Sequence, residues 1–304
     1  MTFRALPKVK VVEVGPRDGF QSVQTFIPTK TKLEIIDRIV ESGFSKIQAT
    51  SFVSPKAIAQ MQDAKIIIET VVQKHKHVEW FALVPNFHGA KSAVEAGLAE
   101  IATVVSLSES HNQANIRRSH QQSLEEIARI RETFPNVKIT QDIATAFGCP
   151  FEGPMAIQPL IELIRSLHKI GIDAFTLCDT IGIANPNQVK NVLSSVQAAF
   201  PDCVFSLHIH DTRNMGILNS YIGLMSGAAS VQTAVGGLGG CPFAPGASGN
   251  TSSEDLVYLL EQAGYETGIN FEKLLETAKY LRSNVQGNYS GHHINITDKP
   301  CTLQ

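Results

Sequence analysis

Val9-Lys-Val-Val-Glu-Val-Gly-Pro-Arg-Asp18 is the stretch on which the fold turns. Its β-branched run predicts a strand over 9–14, and the turn after that strand separates two α/β architectures. A dinucleotide-binding open sheet closes its first strand with Gly-x-Gly-x-x-Gly. Here the strand runs into Gly-Pro-Arg-Asp. Seven more runs of the same kind occupy 45–50, 78–85, 100–107, 137–144, 174–179, 204–210 and 230–235. They recur roughly every 30 residues, the size of a βαβ module, and their near-continuous apolar character suits parallel strands covered on both faces.

Segments with a 3.6-residue period lie between the strands, such as 32–42, where Leu33, Ile36 and Val40 share a face. Thr31 with Glu34, Ser123 with Glu126 and Thr251 with Glu254 read as capping boxes, and Asn185-Pro186 as an N-cap followed by proline at the first helical position. Eight strand–helix units favour a closed (β/α)8 TIM barrel, which takes about 250 residues, over a doubly wound sheet without its fingerprint. The expectation is one α/β barrel domain over 1–304, with an extra helix and an aperiodic tail from about Gly268.

The chain has 304 residues, 26 Lys+Arg against 28 Asp+Glu, and 43% hydrophobic residues, so it can bury a large core and has little self-repulsion. Near neutrality excludes the concentrated basic face that nucleic-acid binding needs. No apolar run approaches the ~20 residues that cross a bilayer, and the N-terminus has no apolar leader core. Five scattered cysteines, Cys149, Cys178, Cys203, Cys241 and Cys301, form no Cys-x-x-Cys pair, which points to a reducing cytoplasm rather than a disulfide framework. Cys149, Cys178 and Cys203 read as packing residues.

In such a barrel, function sits at the C-terminal strand ends. Read in order these carry Arg17-Asp18, Gln48 with Thr50, Asn86, Ser108-Glu109, Asp142 with Thr145, Asp179, and His208-Ile-His-Asp211. The eighth leads into a loop, Gly236 to Asn250, with six glycines in fifteen residues. His208 and His210 point to the same face of a strand, and Asp18 should lie close, because strands one and seven are separated only by strand eight. Two imidazoles and one carboxylate suit Mg²⁺, Mn²⁺ or Zn²⁺; a buried, merely hydrogen-bonded histidine is the plainer reading. Arg17 at the mouth suits an enolate or carboxylate, against an exposed turn pair as the plainer reading. The glycine loop suits a closing lid carrying Cys241 as acid or base, against a plain flexible loop.

Six segments together resemble the hydroxymethylglutaryl-CoA lyase family: Glu13-Val-Gly-Pro-Arg-Asp-Gly-Phe-Gln21, Thr50-Ser-Phe-Val-Ser-Pro-Lys56, Phe147-Gly-Cys-Pro-Phe-Glu-Gly153, Asp179-Thr-Ile-Gly182, His208-Ile-His-Asp-Thr212 and Val235-Gly-Gly-Leu-Gly-Gly-Cys-Pro-Phe-Ala-Pro-Gly-Ala-Ser-Gly-Asn250. The last is the most specific, since the related condensing synthases lack its cysteine. The resemblance implies a divalent cation held by Asp18, His208 and His210 with Asn250 in or near the shell, and a catalytic set of Arg17, Asp18 and Cys241. It implies cleavage of a 3-hydroxyacyl-CoA to acetyl-CoA and a keto product, acetoacetate where the substrate is 3-hydroxy-3-methylglutaryl-CoA. A homodimer is the expected assembly, with an acyl-CoA as the partner molecule.

Several positions depart from the family pattern. Gln48 stands where the family has glutamate, and an amide supplies neither charge nor a proton acceptor. Thr140-Gln-Asp142 replaces Arg-Gly-Tyr, which removes a cation and adds an anion, while Arg117, where the family has asparagine, partly restores positive charge. Gln48, Asp142, Asp179 and Arg117 are the residues expected to meet a substrate whose acyl group differs from the family's own. Three other readings stay open: condensation of acetyl-CoA with a 2-oxo acid, a non-haem iron oxygenase, and a non-catalytic relative that only binds.

Overall fold

The computed structural model describes residues 7–240 and 249–296. Eight parallel strands close into a barrel: β1 (Val11–Glu13), β2 (Lys46–Ser51), β3 (Glu79–Leu83), β4 (Glu100–Ser106), β5 (Lys138–Ala144), β6 (Ala174–Asp179), β7 (Val204–Ile209) and β8 (Val231–Thr233). Their order around the barrel is β1-β8-β7-β6-β5-β4-β3-β2, so β1 and β7 flank β8 as the closed-barrel reading required. Each β-branched run became a strand, shorter than expected at most ends; β1 and β8 keep three residues each.

Ten α-helices are described: α1 (Thr29–Glu41), α2 (Ala64–Lys74), α3 (Phe87–Glu95), α4 (Glu109–Ile116), α5 (His120–Thr133), α6 (Ile157–Lys169), α7 (Pro186–Ala199), α8 (Gly216–Met225), α9 (Ser253–Gln262) and α10 (Phe271–Asn284). Most of the apolar burial lies between strands and helices, where outward strand residues such as Ile47, Ile101, Phe175 and Leu207 meet the helix faces. A second small cluster, Val12, Val14, Phe81 and Ala102, fills the barrel axis. Below it Lys46 pairs with Glu100, and the Thr140 hydroxyl donates to Glu100 at 3.0 Å. Thr140 therefore serves the lower plug.

Several local expectations need correction. In α1 the face buried in the core is Ile35, Ile36, Ile39 and Val40, with Leu33 at its margin. Lys32 shares that face, fully buried, with its ammonium on the Asp63 carboxylate at 2.8 Å and 4.5 Å from the Phe26 ring. Thr31 lies inside α1, whose cap is Pro28. The capping box of α5 is Ser119 with Gln122, one turn before Ser123. Ser252, not Thr251, caps α9 by accepting from the Asp255 amide. Asn185 caps α7 as expected, with Pro186 first in the helix. Beyond α10, the stretch from Asn288 to Gly291 returns to the barrel mouth: the Gly239 amide donates to Asn288, Gly291 donates to Gly236, and the Ser290 hydroxyl donates to the Asn250 carbonyl at 3.0 Å.

Candidate active site

After β1 the chain turns once through a π-helical turn, Gly15–Gly19, which buries both Arg17 and Asp18 at the C-terminal barrel mouth. The turn is held from behind. Glu13 has the opposite strand parity to Val12 and Val14, and its carboxyl accepts from the Gly15 amide at 2.8 Å and the Val235 amide at 3.0 Å. Its other oxygen meets the Ser253 hydroxyl at 2.6 Å at the start of α9. Burial raises the Glu13 pKa to about 8, with the neighbouring Glu254 adding to the effect. Glu254, raised by burial to about 7, accepts from the Gly236 amide at 2.9 Å. Two buried carboxyls thus clamp the β1 and β8 turns together.

His208 and His210 project from the end of β7 into the same space. His210 Nε2 and His208 Nε2 lie 3.1 Å apart, and Asp18 Oδ2 is 3.8 Å from His208 Nε2 and 3.7 Å from His210 Nε2. All three ligand atoms fall within 4.8 Å of one another. For bonds of about 2.1 Å, neighbouring ligand atoms around one ion stand roughly 3.0–3.4 Å apart; the two imidazoles already stand so, and Asp18 Oδ2 has only a few tenths of an ångström to close on a single small cation. Gln232 on β8 sets the tautomer: its Oε1 accepts from His208 Nδ1 at 2.9 Å, which leaves Nε2 as the lone-pair face. Burial lowers the His208 pKa to about 4, against the opposing pull of Asp18, so the ring is neutral at pH 7. Burial also opposes ionisation of Asp18, but the Arg17 guanidinium and, after it, the His210 hydrogen bond outweigh it and hold the carboxyl well below the usual range.

Asn250 joins this group through backbone pairing. It bridges His210 in antiparallel fashion, and the Asp211 amide donates to the Gly249 carbonyl at 2.8 Å. Gly249, at φ +90°, makes room for this, since a Cβ there would collide with the backbone of Gly239. Asn250 Nδ2 donates to Asp18 Oδ2 at 2.9 Å and to the Leu238 carbonyl at 3.1 Å. Its Oδ1 is buried with no hydrogen-bond partner among the described residues, a free oxygen beside the three ligands.

A cavity of about 820 Å³ opens over this cluster, within the range of small-molecule sites. Arg17, Asp18, His208, His210 and Asp142 line it, with Arg117 at the rim in a left-handed cap of α4 (φ 56°). Gln48 stands behind the wall, fully buried; its Oε1 accepts from Arg17 Nε, and its Nε2 has no partner among the described residues. Asp179 is used differently from expectation. Both its oxygens are engaged, by the Ile183 and Ala184 amides at 3.0 Å each, so it shapes the β6–α7 loop outside the cavity wall. Asn86 caps α3 and also lines the cavity, while Ser108 caps α4. Cys241 lies outside the described residues.

Other groups were not anticipated. Cys178, read as packing, lines the cavity, and burial beside Asp142 pushes its thiol pKa well up. His111 also lines it; its Nδ1 meets the Ser106 hydroxyl at 2.6 Å, and burial lowers its pKa to about 4. Strand parity alone would have placed Thr176 and Cys178 inside the barrel with His208. Gln232 needed the lateral register, which pairs it with His208 across β7 and β8.

The HMGL-like family model matches residues 8–281 of the chain. The chain is similar to the Bacillus subtilis hydroxymethylglutaryl-CoA lyase YngG, with 40% identity over 91% of this chain and 93% of the relative. The mitochondrial hydroxymethylglutaryl-CoA lyase of Homo sapiens is 38% identical over 91% of this chain and 86% of its own length. Among solved structures, an HMG-CoA lyase of Acinetobacter baumannii, in complex with coenzyme A and 3-methylmalate, superposes with a TM-score of 0.89 at 38% identity, covering 96% of this chain and 98% of that one.

Proposed function

The chain belongs to the HMGL-like family, and on that footing we propose that it is a metal-dependent carbon–carbon lyase acting on a 3-hydroxyacyl-CoA. For 3-hydroxy-3-methylglutaryl-CoA the products are acetyl-CoA and acetoacetate. The observation that carries this reading is the convergence of Asp18, His208 and His210 on one space under a cavity of thioester size.

Asp18, His208 and His210 would hold the cation, Mg²⁺ or Mn²⁺ by preference and Zn²⁺ as the other candidate, with Asn250 Oδ1 beside them. When bound, such an ion supplies Lewis-acid polarisation and a template for oxygen ligands. The cleaved bond joins the carbon bearing the hydroxyl to the carbon next to the thioester carbonyl. As the hydroxyl proton passes to a general base in the cavity, that bond breaks, the hydroxyl carbon becomes a ketone, and the electron pair passes to the thioester as an enolate. Arg17 lines the cavity with its guanidinium braced by Gln48 and Asp18, so its positive charge stands ready without reorganisation. Cys241 on the glycine-rich loop is our candidate for the acid that protonates the enolate carbon. Asp18, held so far below the usual carboxylate range, serves as a ligand rather than as a proton acceptor. No described helix is long and apolar enough to cross a membrane, and we place the reaction in a reducing cytoplasm.

The test is incubation of metal-loaded protein with branched 3-hydroxyacyl-CoA esters and mass detection of the products. Acetyl-CoA and a keto acid in equal amounts, lost on chelation, are the expected result. No acetyl-CoA from any ester of this class would overturn the reading.

A further inference from the structure

The segment beyond α10 is tied down at intervals as it crosses the C-terminal mouth. Just past the helix end, the Tyr289 hydroxyl donates to the Val285 carbonyl at 2.7 Å. Farther on, His292 and His293 close on Asp255 in the first turn of α9. Their backbone amides donate to its carboxylate at 2.7 and 3.0 Å, and their ring Nδ1 atoms face it at 3.1 and 2.5 Å. One buried carboxylate thus gathers four contacts from two adjacent residues. The His293 ring also packs on Tyr258 and Phe271, with centroids 4.6 and 5.3 Å away. Asn295 then turns the segment back: it donates to the Gly291 carbonyl at 3.0 Å and accepts from Arg282 of α10 at 2.6 Å.

Between these ties the segment meets both ends of the glycine-rich loop. At the entry, the Gly291 amide donates to the Gly236 carbonyl at 3.0 Å, and the Gly239 amide donates to the Asn288 carbonyl at 3.3 Å. At the exit, the Ser290 hydroxyl donates to the Asn250 carbonyl at 3.0 Å, with the Gly237 carbonyl 3.4 Å from the same oxygen. Ser290 therefore stands between the residues that open and close the loop. Asn250 carries that contact into the site, because its backbone bridges His210 and its Nδ2 donates to Asp18 Oδ2 at 2.9 Å. Groups that orient the ligands of a metal site tune its affinity even when they never touch the ion.

We propose that residues 288–293 are a positioning strap for the candidate metal site, with Asp255 as its anchor and Ser290 as the contact that fixes Asn250 against Asp18 and His210. The assignment rests on the reading of Asp18, His208 and His210 as cation ligands. Its test is Mn²⁺ binding by calorimetry on the full chain, with the folding transition of each variant measured beside it. Ser290→Ala should weaken binding about fivefold, the size of one net hydrogen bond, while remaining folded at the assay temperature. Asp255→Asn loosens the anchor away from the mouth and should act in the same direction. In an Asn250→Ala background the side chain linking the strap to Asp18 is gone, so Ser290→Ala should have no further effect; a general loosening of the fold would still weaken binding there. Unchanged affinity in either single variant, or an equal loss with and without the Asn250 side chain, would overturn the strap. Absence of Mn²⁺ binding by the native chain would instead overturn the cation site, and the strap is then read without any ion, by hydrogen exchange. The Asp211 and Thr251 amides donate across the pairing of 249–251 with the end of β7. Their exchange should quicken in Ser290→Ala, and unchanged exchange would overturn the strap on its own account.

Discussion

Replacing Glu13 by glutamine perturbs the clamp behind the Arg17–Asp18 turn while keeping its shape. In the folded chain the Glu13 pKa is about 8, against an ordinary value of 4.5, because burial disfavours the charged form. The folded state therefore holds a proton that the unfolded chain releases above 4.5. The stability this proton contributes is fully present below pH 4.5 and is lost as pH rises toward 8. Each pH unit in that interval is worth about 1.4 kcal/mol, so the cumulative loss is on the order of 4–5 kcal/mol. Glutamine has no proton to lose. Its oxygen can accept from the Gly15 and Val235 amides, and its Nε2 can donate to Ser253, whose hydroxyl also lies 2.7 Å from Thr233. Chemical denaturation of both proteins at pH 5, 6.5 and 8 checks this. The variant should gain on the native chain steadily with pH and be the more stable of the two at pH 8. Glu254 titrates in both proteins, so its own share largely cancels in the difference, apart from its coupling to Glu13. A difference that stays flat across the series would refute a neutral, buried Glu13.

Gln232→Leu removes the acceptor on His208 Nδ1 at 2.9 Å, so Mn²⁺ affinity should fall by roughly 10–100-fold; a titration with unchanged affinity would contradict the assigned tautomer. Lys32→Met strands the buried Asp63 carboxylate without its cation. It should cost about 3–5 kcal/mol in a denaturation experiment, and adding Asp63→Leu should recover most of that; a neutral single variant would show that the pair is dispensable. Gly237→Ala places a Cβ against Ser290 at φ +61°. A loss of roughly 1–3 kcal/mol is expected, read as a lowered Tm.

The barrel was legible because β-branched runs and helical periods alternate eight times, and closure then brings strands one and seven within one strand of each other. That single inference placed Asp18 near His208 and His210 across a sequence separation of 190 residues or more, and the 3.7 and 3.8 Å separations agree with it. What escaped were relations perpendicular to the chain. Gln232 matters through lateral register, which no single strand reveals. Glu13 carried no reading of its own in the sequence, and its opposite parity aims it at α9 and the β8 turn. Asp179 ends its strand like a catalytic residue but spends both oxygens on loop amides. The capping boxes of α1, α5 and α9 were misplaced because Ser and Thr near a helix start offer several candidate caps, and only backbone geometry chooses among them.

The most direct measurement is the binding of Mn²⁺ to the native chain and to Asp18→Ala, followed by calorimetry and by the electron paramagnetic resonance signal of the free ion. One ion per chain bound by the native protein, with affinity lost in the variant while its folding transition is retained, is the predicted result. Equal binding by both proteins, or none by the native chain, would contradict a cation held by Asp18, His208 and His210.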